Sequence, residues 1–446
     1  MVNVAHVEIL FSSEWNDWRA RNPALIPDFT RAGLAGRDLS GKDLRGGDFS
    51  GANLEGVNFS NALLERARFD NAVMRRVNLT GATMENGILR GVDLREAIFE
   101  RTRLSGADLT RANLGGAKAA RADFTNARIE AADIRQADFT GAILRGATFT
   151  GTGFENVILE GAILEKVTLE QIDFHGLNLR RASFAESSLK YANFRDADAR
   201  EANFSRAKLL QANFSGADLT GANFERADLP EAVFEKTDLS LTRFVGARLE
   251  KVNLTLATIR RASFNDAKLT VTMTDMDARS ATFCNASFSQ SALGGCDFRK
   301  LDLKETAFKG CRLERALFSE ANCEGATFEK SSLIGASLRN ANLNRANLTG
   351  ARLDDADLSG TSFVGANLTE ASLQQCDARF ARFNTANLTQ AKLRRCHLQS
   401  ADFSGATLER TSFWASRLRN TRLDIGFKWR FLLGMFKIVY ASRETA

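Results

Sequence analysis

The sequence predicts a mainly β solenoid, and three observations carry that expectation. A large apolar residue, mostly Leu or Phe, recurs every five residues from Leu34 through Leu39, Leu44, Phe49 and Leu54 to Leu269, mostly with a small residue two places before it. Five matches neither the strand period nor the helical one, so the chain must turn a corner once per unit, with the large and small residues facing inward. Like side chains then line up at 20-residue intervals: Phe154, Phe174, Phe194, Phe214 and Phe234, and again Phe184, Phe204, Phe224, Phe244 and Phe264. Such columns are what in-register piling of coils requires. Composition agrees, with 33 Phe against 2 Tyr and only 3 Pro, and a hydrophobic share of 44% supplies a core. That excludes a disordered chain.

Residues 1–29 read as an N-terminal helical cap. Val7, Leu10, Phe11, Trp15 and Trp18 fall at helical spacing, which predicts one amphipathic helix closed by Asn22-Pro23 and Pro27. A helix this short needs a surface to pack on, and the open end of the first coil offers one. Arg37 and Lys42 take inward positions there; either they reach past the helix to water or they line something.

The solenoid occupies 30–270 in one phase and 271–425 in a shifted phase. One residue is missing between Leu269 and Met273, after which Phe283 and Phe288 resume the period as far as Leu423. The shift predicts a local bend, with Met273 and Met276 as adaptable filler. Val157, Val167, Ile172 and Leu177 stand at small positions, so the coil must widen there. Residues 426–446 are apolar with scattered basic residues and too short to span a bilayer. Capping the last coil, joining two copies as a homodimer, and lying on a membrane surface are the roles open to them.

The unit resembles the pentapeptide-repeat family, whose formula A-[D/N]-L-x-x stands verbatim at Ala107-Asp108-Leu109, Ala217-Asp218-Leu219 and Ala346-Asn347-Leu348. The resemblance covers about nine tenths of the chain. It implies a right-handed four-sided parallel β-helix, four units per coil, here about 20 coils and a rod of order 95 Å. Trp15-Asn16-Asp17-Trp18-Arg19 also looks like the N-terminal helix of some members.

Function is less legible. His6, His175 and His397 are far apart, and no catalytic triad, metal spacing or phosphate loop appears. The expectation is a non-enzymatic protein that uses no cofactor or metal. The Asp and Asn before each Leu or Phe read as corner-makers that bond the turning backbone. Six Cys without C-x-x-C pairs, and no basic-then-apolar leader, point to a cytoplasmic protein with free thiols. Cys376 and Cys396, 20 apart at inward positions, stack at a spacing that permits a disulfide, but the expectation is buried thiols in place of Ala.

One constellation stands out. Ala replaces the large residue at Ala119, Ala199, Ala278 and Ala378, all on one face of a 20-residue coil. Arg200, Arg279 and Arg379 directly follow three of them, and Arg121 stands two past the fourth. A notch beside a guanidinium would seat a carboxylate, so these eight residues form the candidate partner-binding face, and the partner expected is an acidic protein. The leading expectation is thus a scaffold that binds a macromolecule on its flat sides. The family resemblance also implies a DNA-mimicking gyrase protector, but mimicry needs a strongly acidic surface and the chain carries +6. That charge admits nucleic acid as a partner, without the outward aromatic clusters such binding uses. An effector delivered to another cell is a further alternative. No stretch is long and apolar enough for a transmembrane helix.

Overall fold

The computed structural model describes residues 4–423 and divides into two compact units, Met1–Phe224 and Glu225–Ala446. Residues 426–446, with the roles expected of them, lie outside the described residues. Each unit is a parallel, four-sided coil. In the first, bridges join residues 20 apart from Asp28–Asp48 to Asn203–Asn223. In the second, Asp297–Leu317 through Asp402–Arg422 repeat the same spacing. The coil carries one bridge per five-residue unit.

The corner explains the period. The residue two past each Leu or Phe takes a left-handed φ near 60°, as at Arg31, Asn61 and Gly46. This reverses the chain direction enough to start the next side. The side chain before the large residue then locks the turn: Asp28 Oδ1 accepts from the backbone N–H and hydroxyl of Thr30, and Asn367 Oδ1 does the same for Thr369. These Asp and Asn are corner-makers, as their position implies.

Inside, the large residues of both units are buried, and their rings stack coil on coil. Phe194 lies 4.9 Å from Phe174 and 4.7 Å from Phe214, with planes 15° and 5° apart. Rings on opposite sides meet edge to face, as Phe204 does with Phe214 at 5.6 Å and 82°. At most places where Ser or Thr replaces the small residue, its hydroxyl donates to a carbonyl one coil back, Thr102 to Leu79 O and Thr361 to Leu338 O, each at 2.7 Å. That satisfies a polar group with no access to water.

The N-terminal segment forms two helices rather than one, α1 (Val4–Leu10) and α2 (Trp15–Arg21). Ser12 ends the first, because its N–H and its hydroxyl both donate to Ile9 O. A serine side chain that bonds the backbone competes with helix continuation. α2 then meets the edge of the first coil. Trp15 is fully buried and donates from Nε1 to Asp43 O at 2.8 Å, and Asn16 Oδ1 accepts from Asp43 N–H at 2.8 Å. Arg19 donates to Arg45 O at 3.0 Å. Arg37 and Lys42 turn to the same segment: Arg37 lies over the Phe11 ring, and Lys42 Nζ donates to Ser12 O.

Two irregularities interrupt the coils. In the first unit Thr148, Gly153 and Ile158 make no bridge to Thr168, Asp173 and Asn178. Val157 and Val167 are buried at small positions and Ile172 and Leu177 half-buried, and the Phe154 and Phe174 planes are tilted by 60°. Bulk where Ala belongs wedges two successive coils apart. In the second unit the missing residue is absorbed at one corner. β1 (Arg248–Asn253) pairs with β2 (Lys268–Thr272) as Glu250–Thr270 but then as Val252–Val271. β3 (Ser287–Ser289) and β4 (Ala307–Lys309) continue the parallel sheet. Asp266 and Asp275 are successive left-handed residues, so no left-handed corner stands between them. The chain runs straight through, and Val271 re-enters the core 3% exposed.

Candidate partner-binding face

The four Ala centres do not open a notch at the surface. Ala119, Ala199, Ala278 and Ala378 are all 0% exposed and face the core, while the arginines that follow point outward. Neighbouring side chains take up the space instead. Phe124 stands between Phe99 and Phe139, at 6.2 Å and 5.6 Å, across the level of Ala119. Phe194 and Phe204 meet at 5.5 Å beside Ala199. Beside Ala278 the usual order is inverted: Met276 occupies the small position and is 7% exposed. Cys376 stands in the same relation to Ala378.

The arginines next to these centres are paired with their own aspartates. Arg200 Nε donates to Asp198 Oδ1 at 2.7 Å, Arg279 to Asp277 at 3.0 Å and Arg379 to Asp377 at 2.9 Å, each with a second bond from Nη2. The Arg279 hydrogen bond holds the Asp277 carboxyl down at about 2, and Arg200 and Arg379 lower Asp198 and Asp377 in the same way. The pairing is not special to Ala centres. Arg45–Asp43, Arg95–Asp93, Arg135–Asp133 and Arg299–Asp297 repeat it around Leu44, Leu94, Ile134 and Phe298. Asp-x-Arg is thus a second corner lock, equivalent to Asp-x-Thr, and its spacing was open to view in the sequence. Arg121 differs: it is exposed, sits at a left-handed corner, and has no ion-pair partner among the described residues.

The sequence did not flag the apolar residues at the corners. Leu241, Leu256 and Phe380 hold left-handed φ values of 62°, 58° and 60° and are 46%, 68% and 64% exposed. All three belong to the second unit, and all three rim one side. Leu241 and Phe380 follow the centres Leu239 and Ala378 by two residues, and Leu256 stands three before Ile259. That side also carries Ala278, Arg279, Arg299 and Arg379. Tyr191 is the comparable corner residue of the first unit.

The histidines are not drawn into a site. In the first unit His6 Nδ1 accepts from Asp28 N–H, and the exposed His175 bonds Arg195 O; in the second, His397 pairs with Asp377 on the adjacent coil. Among the described residues no group of three or more His, Cys, Asp and Glu could hold a metal ion, and no helix is long and apolar enough to cross a membrane.

Comparison places this architecture. No curated protein matches the chain. Among solved structures, HetL, a pentapeptide repeat protein involved in heterocyst differentiation regulation from the cyanobacterium Nostoc, is 28% identical; the match covers 57% of this chain and 89% of that one, with a TM-score of 0.16. QnrB1, a plasmid-mediated fluoroquinolone resistance protein, is 18% identical over 61% of this chain and 96% of its own, with a TM-score of 0.22. A pentapeptide repeat protein from the Arabidopsis thaliana thylakoid lumen is 29% identical over 32% and 74%, with a TM-score of 0.12. The family profiles match more broadly: "Pentapeptide repeats (8 copies)" in segments between residues 28 and 270, and "Pentapeptide repeat region" over 147–224, 281–358 and 346–423. With the five-residue corner, the parallel coils and these two family profiles, the chain belongs to the pentapeptide-repeat family and takes its right-handed quadrilateral β-helix.

Proposed function

We propose that this protein is a non-enzymatic scaffold that binds another protein on the side of its second unit rimmed by Leu241, Leu256 and Phe380. The observation that carries the reading is where those side chains stand. A left-handed corner suits Gly or Asn, and a large apolar residue there is strained and also wetted. Each such residue is unfavourable for the free chain, which is what a contact residue is expected to be. The interior is filled by side chains, so recognition falls to the outside.

The charged part of the reading concerns the arginines. Arg121 can meet a carboxylate of an acidic partner directly, whereas Arg200, Arg279 and Arg379 must first give up their own aspartates. Duplex mimicry finds less support, because it requires net acidity and here the carboxylates are matched by arginine within the corner locks. The cysteine spacing favours the cytoplasm as the compartment.

A pull-down from native lysate identifies the partner, and calorimetry with that partner purified reads the contact. The double variant Phe380→Gly, Leu256→Gly relieves two strained corners. It should melt no lower than the parent and lose at least tenfold in affinity. Unchanged affinity in the well-folded double variant would remove this side from consideration.

A further inference from the structure

Most polar side chains at the small inward positions of the second unit donate to the carbonyl of the large residue one coil back: Thr306 to Phe283 O at 3.0 Å, Thr361 to Leu338 O at 2.7 Å, and Cys311 to Phe288 O at 3.4 Å. Cys396 does the same, donating to Leu373 O at 2.7 Å. Cys376, like Thr242 toward Leu239 O, bonds the carbonyl three residues before it. That carbonyl is the one Cys396 uses, Leu373 O at 2.9 Å, so two sulfurs converge on one acceptor and lie 3.3 Å apart. Both residues are buried, at 1% and 0% exposure, and both are free thiols.

The backbone suits a covalent bond. Asp377 and His397, the next residues along, form a parallel bridge, and His397 N–H donates to Cys376 O at 3.0 Å. Adjacent strands lie about 4.8 Å apart, inside the Cα range of about 4.4–6.8 Å that a disulfide spans. We propose that Cys376 and Cys396 are a redox pair which a peroxide converts to a disulfide, stapling two successive coils beside Ala378. One thiol attacks a peroxide oxygen, giving a sulfenic acid and the first water. The other sulfur then attacks the sulfenic sulfur, and its hydroxyl leaves with a proton as the second water. Two thiols and one hydrogen peroxide become one disulfide and two waters, the sulfurs losing the two electrons that the oxygens gain. The position explains why the staple would matter: Ala378 gives this coil the smallest centre on its side, where a cross-link has most to stabilise.

The test uses the full chain with Cys284→Ser, which removes the exposed thiol. After hydrogen peroxide treatment, remaining thiols are alkylated in denaturant and the protein is digested and weighed. The expected product is a peptide pair joined through Cys376 and Cys396, lighter by two hydrogens and released by dithiothreitol. The oxidised protein should also melt higher than the reduced one. Full alkylation of both thiols across the peroxide series, or sulfinic acid on either without a link, would overturn the proposal.

Discussion

Phe204 offers the sharpest test of what holds the first unit together. Its ring is stacked on Phe184 at 5.3 Å and on Phe224 at 4.8 Å, and meets Phe194 and Phe214 edge to face at 5.5 Å and 5.6 Å. All five rings are fully buried. Truncating a buried Phe to Ala costs about 3–5 kcal/mol. Coils above and below are held by their own hydrogen bonds and cannot collapse into the gap, so Phe204→Ala should fall at the upper end, about 5 kcal/mol. Phe204→Leu keeps much of the volume but none of the ring pairing. With each aromatic pair worth about 0.5–1.5 kcal/mol, that variant should lose at least about 1 kcal/mol. Urea unfolding read by circular dichroism measures the total, and amide exchange over residues 184–224 measures the local part, which matters because long repeats need not unfold in one step. The double variant Phe204→Ala, Phe214→Ala should cost less than the sum of its parts, since the two rings share one contact. A cost below about 2 kcal/mol for Phe204→Ala would refute the view that stacked columns carry the stability, leaving the backbone ladder to do so.

Two further outcomes follow from the corners. Asp198, Asp277 and Asp377 have depressed folded-state pKa values, set first by hydrogen bonds from Arg200, Arg279 and Arg379. Their contribution is present above the ordinary carboxyl range and is lost as pH falls through the folded values, about 2 for Asp277. The urea midpoint should therefore hold from neutrality to about pH 4 and decline below it; a decline already under way at pH 6 would contradict this assignment. The second outcome concerns length. A Gly inserted between Thr270 and Val271 restores the absent left-handed corner and should leave the melting midpoint at or above that of the parent, whereas the same insertion between Thr349 and Gly350 overfills a complete corner and should lower it.

Most of the fold was legible because a single steric cycle repeats. A large residue, a polar one before it and a left-handed one two places after it specify side, lock and corner, as Phe29, Asp28 and Arg31 do, and the first two of these recur visibly in the sequence. The candidate face was read less well. Ala119, Ala199, Ala278 and Ala378 looked like notches because a missing side chain suggests a hole, but their positions point inward and Phe124 or Met276 occupies the room. The arginines looked available because spacing alone does not show that each bonds the Asp two residues earlier twice, from Nε and from Nη2. Leu256 and Phe380 were passed over because a five-residue pattern assigns corners no side-chain preference until φ is known. The split of the N-terminal helix at Ser12 rests on two hydrogen bonds to one carbonyl, which periodicity does not report.

The straight run through Thr270 and Val271 bears on how such chains change over time. In a conventional sheet, losing one strand residue exchanges inside for outside along everything that follows. Here the loss removes a residue whose side chain would have faced water, and the next small residue enters the core in its proper place. The parallel bridges resume at Thr272–Ala292 and Asp277–Asp297, with Met276 taking the small position beside Ala278 on the next side. Chains of this kind can therefore drift in length one residue at a time, and two relatives should be compared coil by coil, not by counting along the sequence. A jump in repeat phase marks a place where a corner was trimmed or extended and the stack then resumed.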